Sequence, residues 1–140
     1  MRKFAIAAGV FALAAGSVIL TLPAMSADAP AVVRTLLKDG PAPGGNVETM
    51  MKVVIPPGGS EGRHYHSGPL IVTVLSGVFT LDYEGKPTTD YKAGDTFYVE
   101  AGKQHEGHNR GKVDAVGIAT FVTPKGAPIT TQVADKDIKK

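Results

Sequence analysis

The chain predicts an all-β fold, a sandwich or barrel of short strands. Three observations point to it. No helical period persists once the first residues are set aside. Short apolar runs alternate with Gly- and Pro-rich turns at close spacing. One stretch, Gly58 to Gly77 (GGSEGRHYHSGPLIVTVLSG), places two histidines at i, i+2 ahead of an apolar run on the same parity. In a strand, alternate side chains share a face, so His64 and His66 point the same way, followed by Leu70, Val72 and Val74.

The N-terminus reads as an address. Arg2 and Lys3 precede an uncharged run from Phe4 to Leu22, and small residues follow Pro23. This is the pattern of a secretory signal over residues 1–27, with cleavage after Ser26 or Ala27 and a periplasmic destination. The run is also close to the length of a membrane span, so an uncleaved N-terminal anchor is the alternative. Without Arg2 and Lys3, Lys plus Arg falls from 15 to 13, against 13 acidic residues. That balance, with no basic stripe, gives no ground for a nucleic-acid partner.

Residues 28–45 read as an arm or linker. Val32 to Leu37 fits a short strand or a helical turn, and the Pro and Gly density of Lys38 to Gly45 predicts a loop. From Asn46 the pattern is strand-like, with Val47, Met51, Val53 and Ile55 on one face and Glu48 and Lys52 on the other. Ile71 to Leu75, Val78 to Tyr83 and Thr96 to Val99 read as strands. Strands also fit Gln104 to Asn109 and Asp114 to Thr123, and Thr88 to Lys92 is short and polar. Gly77, Gly85, Gly94, Gly102 and Gly111 fall at the turns. The domain is expected over residues 46–123, with 124–140 as a tail.

The chemistry narrows from composition. Cysteine is absent, so neither disulfides nor thiolate ligands are available, and any metal falls to imidazole, carboxylate or water. All four histidines lie between residues 64 and 108.

These residues resemble the cupin superfamily. Gly58 precedes His64-Tyr65-His66 at the spacing of the first cupin motif, and Gly77 closes that motif after Leu70. Gly94, Gly102, His105 and Asn109 fall on the second motif, and residues 78 to 93 form a short spacer. The resemblance covers roughly Asn46 to Thr123. It implies a double-stranded β-helix, a jelly-roll barrel with a pocket between its sheets. It also implies a divalent metal held by His64, His66 and His105. Two positions depart from the family pattern. Leu70 stands where the first motif has a ligating glutamate, and Glu100 stands where the second has proline.

Three neutral imidazoles on an octahedral Fe, Mn or Ni leave open positions for an anionic or chelating substrate. On tetrahedral Zn they leave room for one water. Glu61 is placed to fold back toward the site. Strand parity sends Glu106 and His108 to the opposite face from His105. Met51, Val53, Val72, Phe79 and Phe121 are candidates for an apolar pocket wall, and Tyr83 and Tyr98 for a hydroxyl near it.

Three functions remain open. One is an exported metal-dependent enzyme, of dioxygenase or lyase type, acting on a small polar molecule. A second is a non-catalytic binder of a metal or small molecule. The third is a metal-free isomerase-like site with His64 or His105 as general base. A homodimer is expected, with the arm before Asn46 as a possible exchanged strand. Membrane association is expected only if the N-terminal segment is uncleaved.

Overall fold

The chain winds back and forth between two five-stranded antiparallel sheets, and this alternation makes the barrel. The computed structural model describes residues 30–139, so the expected signal over residues 1–27 lies outside the described residues. One sheet contains β1 (Val33–Ala42), β2 (Asn46–Ile55), β9 (Ala115–Pro124), β4 (Leu70–Ser76) and β7 (Thr96–Val99), in that spatial order. The other contains β10 (Thr130–Gln132), β3 (His64–His66), β8 (His105–His108), β5 (Val78–Tyr83) and β6 (Thr89–Lys92).

Alternation drives the packing. Val53, Ile55, Val72, Val74, Ala119 and Phe121 turn inward from the first sheet. Phe79, Leu81 and Tyr83 meet them from the second. The crossover from β4 to β5 is a one-residue corner. Gly77 sits there at φ 70°, and a Cβ at this position would run into the backbone of Asp114. Only glycine accepts both constraints without strain.

Two expectations at the ends of the domain are corrected. Lys38 to Ala42 is not loop but the second half of β1, paired with β2 from Val33↔Val54 to Ala42↔Asn46. Pro41 is tolerated because β1 is an edge strand, where a missing donor breaks no ladder on the outer side. The register shifts between Leu36 and Lys38, a bulge that puts Leu37 out of step. Only Pro43–Gly45 remains as a 3-10 turn. The tail is also not free of the fold, because β10 pairs with β3, with Thr130 opposite His66 and Gln132 opposite His64. The sheets therefore extend beyond residues 46–123 at both ends.

Candidate metal centre

β3 and β8 are neighbours, and His64 is the register partner of His105. Their inward faces bring three imidazoles together. The ring centroids are 4.3 Å apart for His64 and His105. They are 4.8 Å apart for His64 and His66, and for His66 and His105. One ring nitrogen from each of the three lies within 4.8 Å of the others, and all three residues are buried.

The orientation of each ring is set by backbone. His64 Nδ1 lies 2.7 Å from the Gly62 carbonyl oxygen. His66 Nδ1 lies 2.9 Å from that of Ile129, and His105 Nδ1 3.0 Å from that of Lys103. A carbonyl only accepts, so each Nδ1 is the donor and carries hydrogen, which leaves the Nε2 lone pair free in the neutral ring. The His105 Nε2 atom is buried and has no hydrogen-bond partner. Burial, followed by repulsion from His64, pulls the His105 pKa down to about 3 and that of His66 to about 4. These two rings are therefore neutral at ordinary pH. Neutral imidazoles with a backbone-bonded Nδ1 and an unpaired Nε2 are the donor set a divalent metal requires.

The three rings face a cavity of about 210 Å³ between the sheets. Met51, Val53, Val72, Phe79 and Phe121 all line it, as the sequence predicts. Phe121 packs edge-on against His66, with ring centroids 4.9 Å apart. Leu70, 5 % exposed, lines the same cavity and offers no donor atom.

The remaining sequence candidates divide cleanly. His108 turns away from the trio and bonds through Nε2 to Asp82 Oδ2 at 3.0 Å. Glu106 also faces away, and its Oε1 accepts from Ser60 Oγ. Tyr98 is 54 % exposed, on the outer face. Tyr83 is buried, and its hydroxyl oxygen accepts from the Glu100 amide at 3.2 Å. Its ring stacks on His105 at 6.4 Å, so it supports the site instead of presenting a hydroxyl to it. Asn109, 1 % exposed, is structural. Its amide group donates to the Ile55 and Val113 carbonyls at 2.7 Å each, and its Oδ1 accepts from Gly111 N at 2.9 Å.

Two charged residues line the cavity, Arg34 with a side chain 41 % exposed and Glu61 with one 15 % exposed. Glu61, flagged by its place before His64, is there, and Arg34 of β1 pairs with it at 2.7 Å. Arg34 had no signal in the sequence, because its strand reads as part of an arm.

A two-sheet barrel with inward histidines from β3 and β8 defines a double-stranded β-helix protein with a histidine-lined pocket. Residues 51–121 match the family described as the cupin domain, and the chain belongs to that family. Among curated proteins, sequence comparison finds no match.

Solved structures show the same fold. A cupin-like protein from Thermotoga maritima is 21% identical, with a TM-score of 0.63 over 76% of this chain and 80% of that one. KdgF from a Halomonas species is 20% identical, with a TM-score of 0.59 over 72% of this chain and 86% of that one. An oxalate oxidase in complex with the substrate analogue glycolate is 23% identical, with a TM-score of 0.61. That match covers 73% of this chain and 55% of the oxidase.

Proposed function

We propose that this chain is a metal-dependent cupin that holds one divalent ion on His64, His66 and His105 and acts on a small molecule admitted to the cavity. One observation carries the reading. Three buried imidazoles have their Nδ1 atoms committed to backbone carbonyls, and their other nitrogens converge. When bound there, an Fe, Mn, Ni or Zn ion supplies Lewis-acid polarisation of a ligand oxygen and, for the redox-active ions, electron transfer. The protein's residues hold the three rings in one tautomer, exclude water with Leu70, Val72 and Phe121, and leave the glutamate position of the family without a donor.

An enzyme of oxygenase or lyase type is the reading we favour, because structural neighbours with this fold include an oxidase. A non-catalytic metal or small-molecule binder is the alternative. The general-base reading is weakest at His105. A base near pKa 3 at His105 is far from the neutral range in which general bases work best.

The test is metal analysis of untagged protein followed by oxygen-uptake and product assays over a panel of small organic acids and phenols. Turnover dependent on the bound ion supports an enzyme. Stoichiometric metal without turnover on any compound supports the binder. Absence of metal in protein offered each of the four ions removes the reading. Export through the N-terminal segment belongs to the same proposal. Mass spectrometry of the cell-envelope fraction should find a mature N-terminus between Ala27 and Ala29, and a full-length membrane-integral protein would show an anchor instead.

A further inference from the structure

We propose that Arg34 is the anchor for a carboxylate on the ligand of this cavity, and that Glu61 is its resident competitor. The inference rests on the small-molecule reading above and names the chemical class: a short organic acid with an apolar body and a second donor group facing the histidines.

The placement of the pair carries the argument. Arg34 is the register partner of Val53, at an inward-facing position of β1, and both line the cavity. It lies outside residues 51–121, so the family motifs do not account for it. Its Nη2 donates to Glu61 Oε1 at 2.7 Å. Among the described residues this is the one side-chain hydrogen bond Arg34 makes, and most of the guanidinium fork is left for another acceptor.

Glu61 is seated by a missing side chain. A Cβ on Gly107 would lie 2.5 Å from Glu61 Oε2, so only glycine at that inward position of β8 leaves space for the carboxylate. The Glu61 amide also donates to the Gly107 carbonyl at 3.0 Å, which fixes the loop against β8.

Arg34 and Glu61 carry the opposite full charges in a lining otherwise made of apolar side chains, threonines and the three histidines. The Arg34 side chain is 41 % exposed and that of Glu61 15 %, so the guanidinium stays partly hydrated where it lines the cavity, and its free donors are open to an incoming anion. A planar fork fits a carboxylate better than a point charge does. Glu61 is its anionic partner when no ligand is present. An incoming carboxylate takes the unused donors of the fork or displaces Glu61. Gly107 is the next inward position after His105, about 7 Å along the strand. A ligand held at Arg34 therefore reaches the histidines with a short chain, and its body lies against the apolar wall.

The experiment measures binding of straight-chain dicarboxylates from succinate to suberate, each against the monocarboxylate of the same length. It uses zinc-loaded and metal-free full chain, with metal content determined on the same samples. Wild type should prefer the dicarboxylate by about tenfold or more at one or two lengths. Arg34→Gln should reduce that preference to about twofold or less with metal content unchanged. Arg34→Lys, which keeps the charge but not the fork, should fall between. Glu61→Gln, which removes the competitor, should tighten dicarboxylate binding, and it reports independently if Arg34→Gln does not fold. Equal binding of both acids at every length in wild type overturns the proposal, as does a preference that survives Arg34→Gln. Loss of metal uptake with the preference intact in metal-free protein would count against the metal reading alone.

Discussion

His64 and His105 face each other as register partners across β3 and β8, with ring centroids 4.3 Å apart and a backbone carbonyl holding Nδ1 of each. The two residues are far apart in sequence, and the pairing of two short strands brings them together. The third ring, His66, follows from parity on β3 and is held by a carbonyl next to β10.

Leu70 tests the departure from the family pattern. Its side chain is buried in the cavity wall, so Leu70→Glu puts a carboxylate where the first motif has its ligand. With a divalent ion present, affinity should rise and the melting temperature should recover. Without it the carboxylate is buried and unpaired, and stability should fall by about 3 kcal/mol or more. Paired thermal melts with and without zinc check this, and equal melting temperatures for the two forms of the variant would count against ligation from position 70.

The two depressed histidines set a pH dependence for the metal-free protein. His66 and His105 are held near 4 and 3 in the folded state, against an ordinary value of 6.5. The unfolded chain therefore binds more protons as pH falls below about 6.5, and stability drops with it until the folded pKa values are reached. Between about pH 6 and 4.5 the slope should approach, at most, about 2.7 kcal/mol per pH unit for the pair. Denaturant melts across that range measure it. The slope should shrink in the His66→Ala, His105→Ala double variant, and an unchanged slope would assign the effect to other groups.

Asn109 should behave as a staple and not as a ligand. Asn109→Ala removes its hydrogen bonds to the Ile55 and Val113 carbonyls and to the Gly111 amide, from a residue 1 % exposed. A loss of about 2–4 kcal/mol is expected. Folded protein should still take up metal at wild-type stoichiometry, and calorimetry on the same sample distinguishes the two roles.

Assembly is expected through β1. This edge strand exposes Val33, Leu36 and Leu37 at 55%, 56% and 49%, and an open edge with apolar side chains favours pairing with another chain. Light scattering should give a homodimer at micromolar concentration, and Leu36→Lys with Leu37→Lys should shift it to monomer. A wild-type monomer at high micromolar concentration would contradict this.

The sequence carried the barrel because the period-2 pattern is clear wherever one face is buried, as in β2 and β9. It carried the three histidines because His64 and His66 share parity and His105 lies at a motif position. Parity also separated His108 and Glu106 from the site. It misread β1 beyond Leu37 as a loop, because Pro41 and the glycines imitate one while edge pairing tolerates them. The strand β10 is only Thr130–Gln132, too short to show alternation. The carbonyls that orient the rings are backbone atoms of Gly62, Lys103 and Ile129, which no residue identity announces. Arg34 reaches the cavity only through the β1–β2 register, and Glu61 meets it there because Gly107 lacks a side chain.

The most direct test is calorimetric titration of Zn²⁺ and Mn²⁺ into wild type and into His64→Ala, His66→Ala, His105→Ala and His108→Ala. Wild type should bind one ion per chain. Each of the first three variants should lose affinity by about a hundredfold or more, while His108→Ala should stay within about threefold of wild type. If His108→Ala loses the ion as completely as His105→Ala, or if wild type binds no ion at all, the three-imidazole centre is not what this barrel holds.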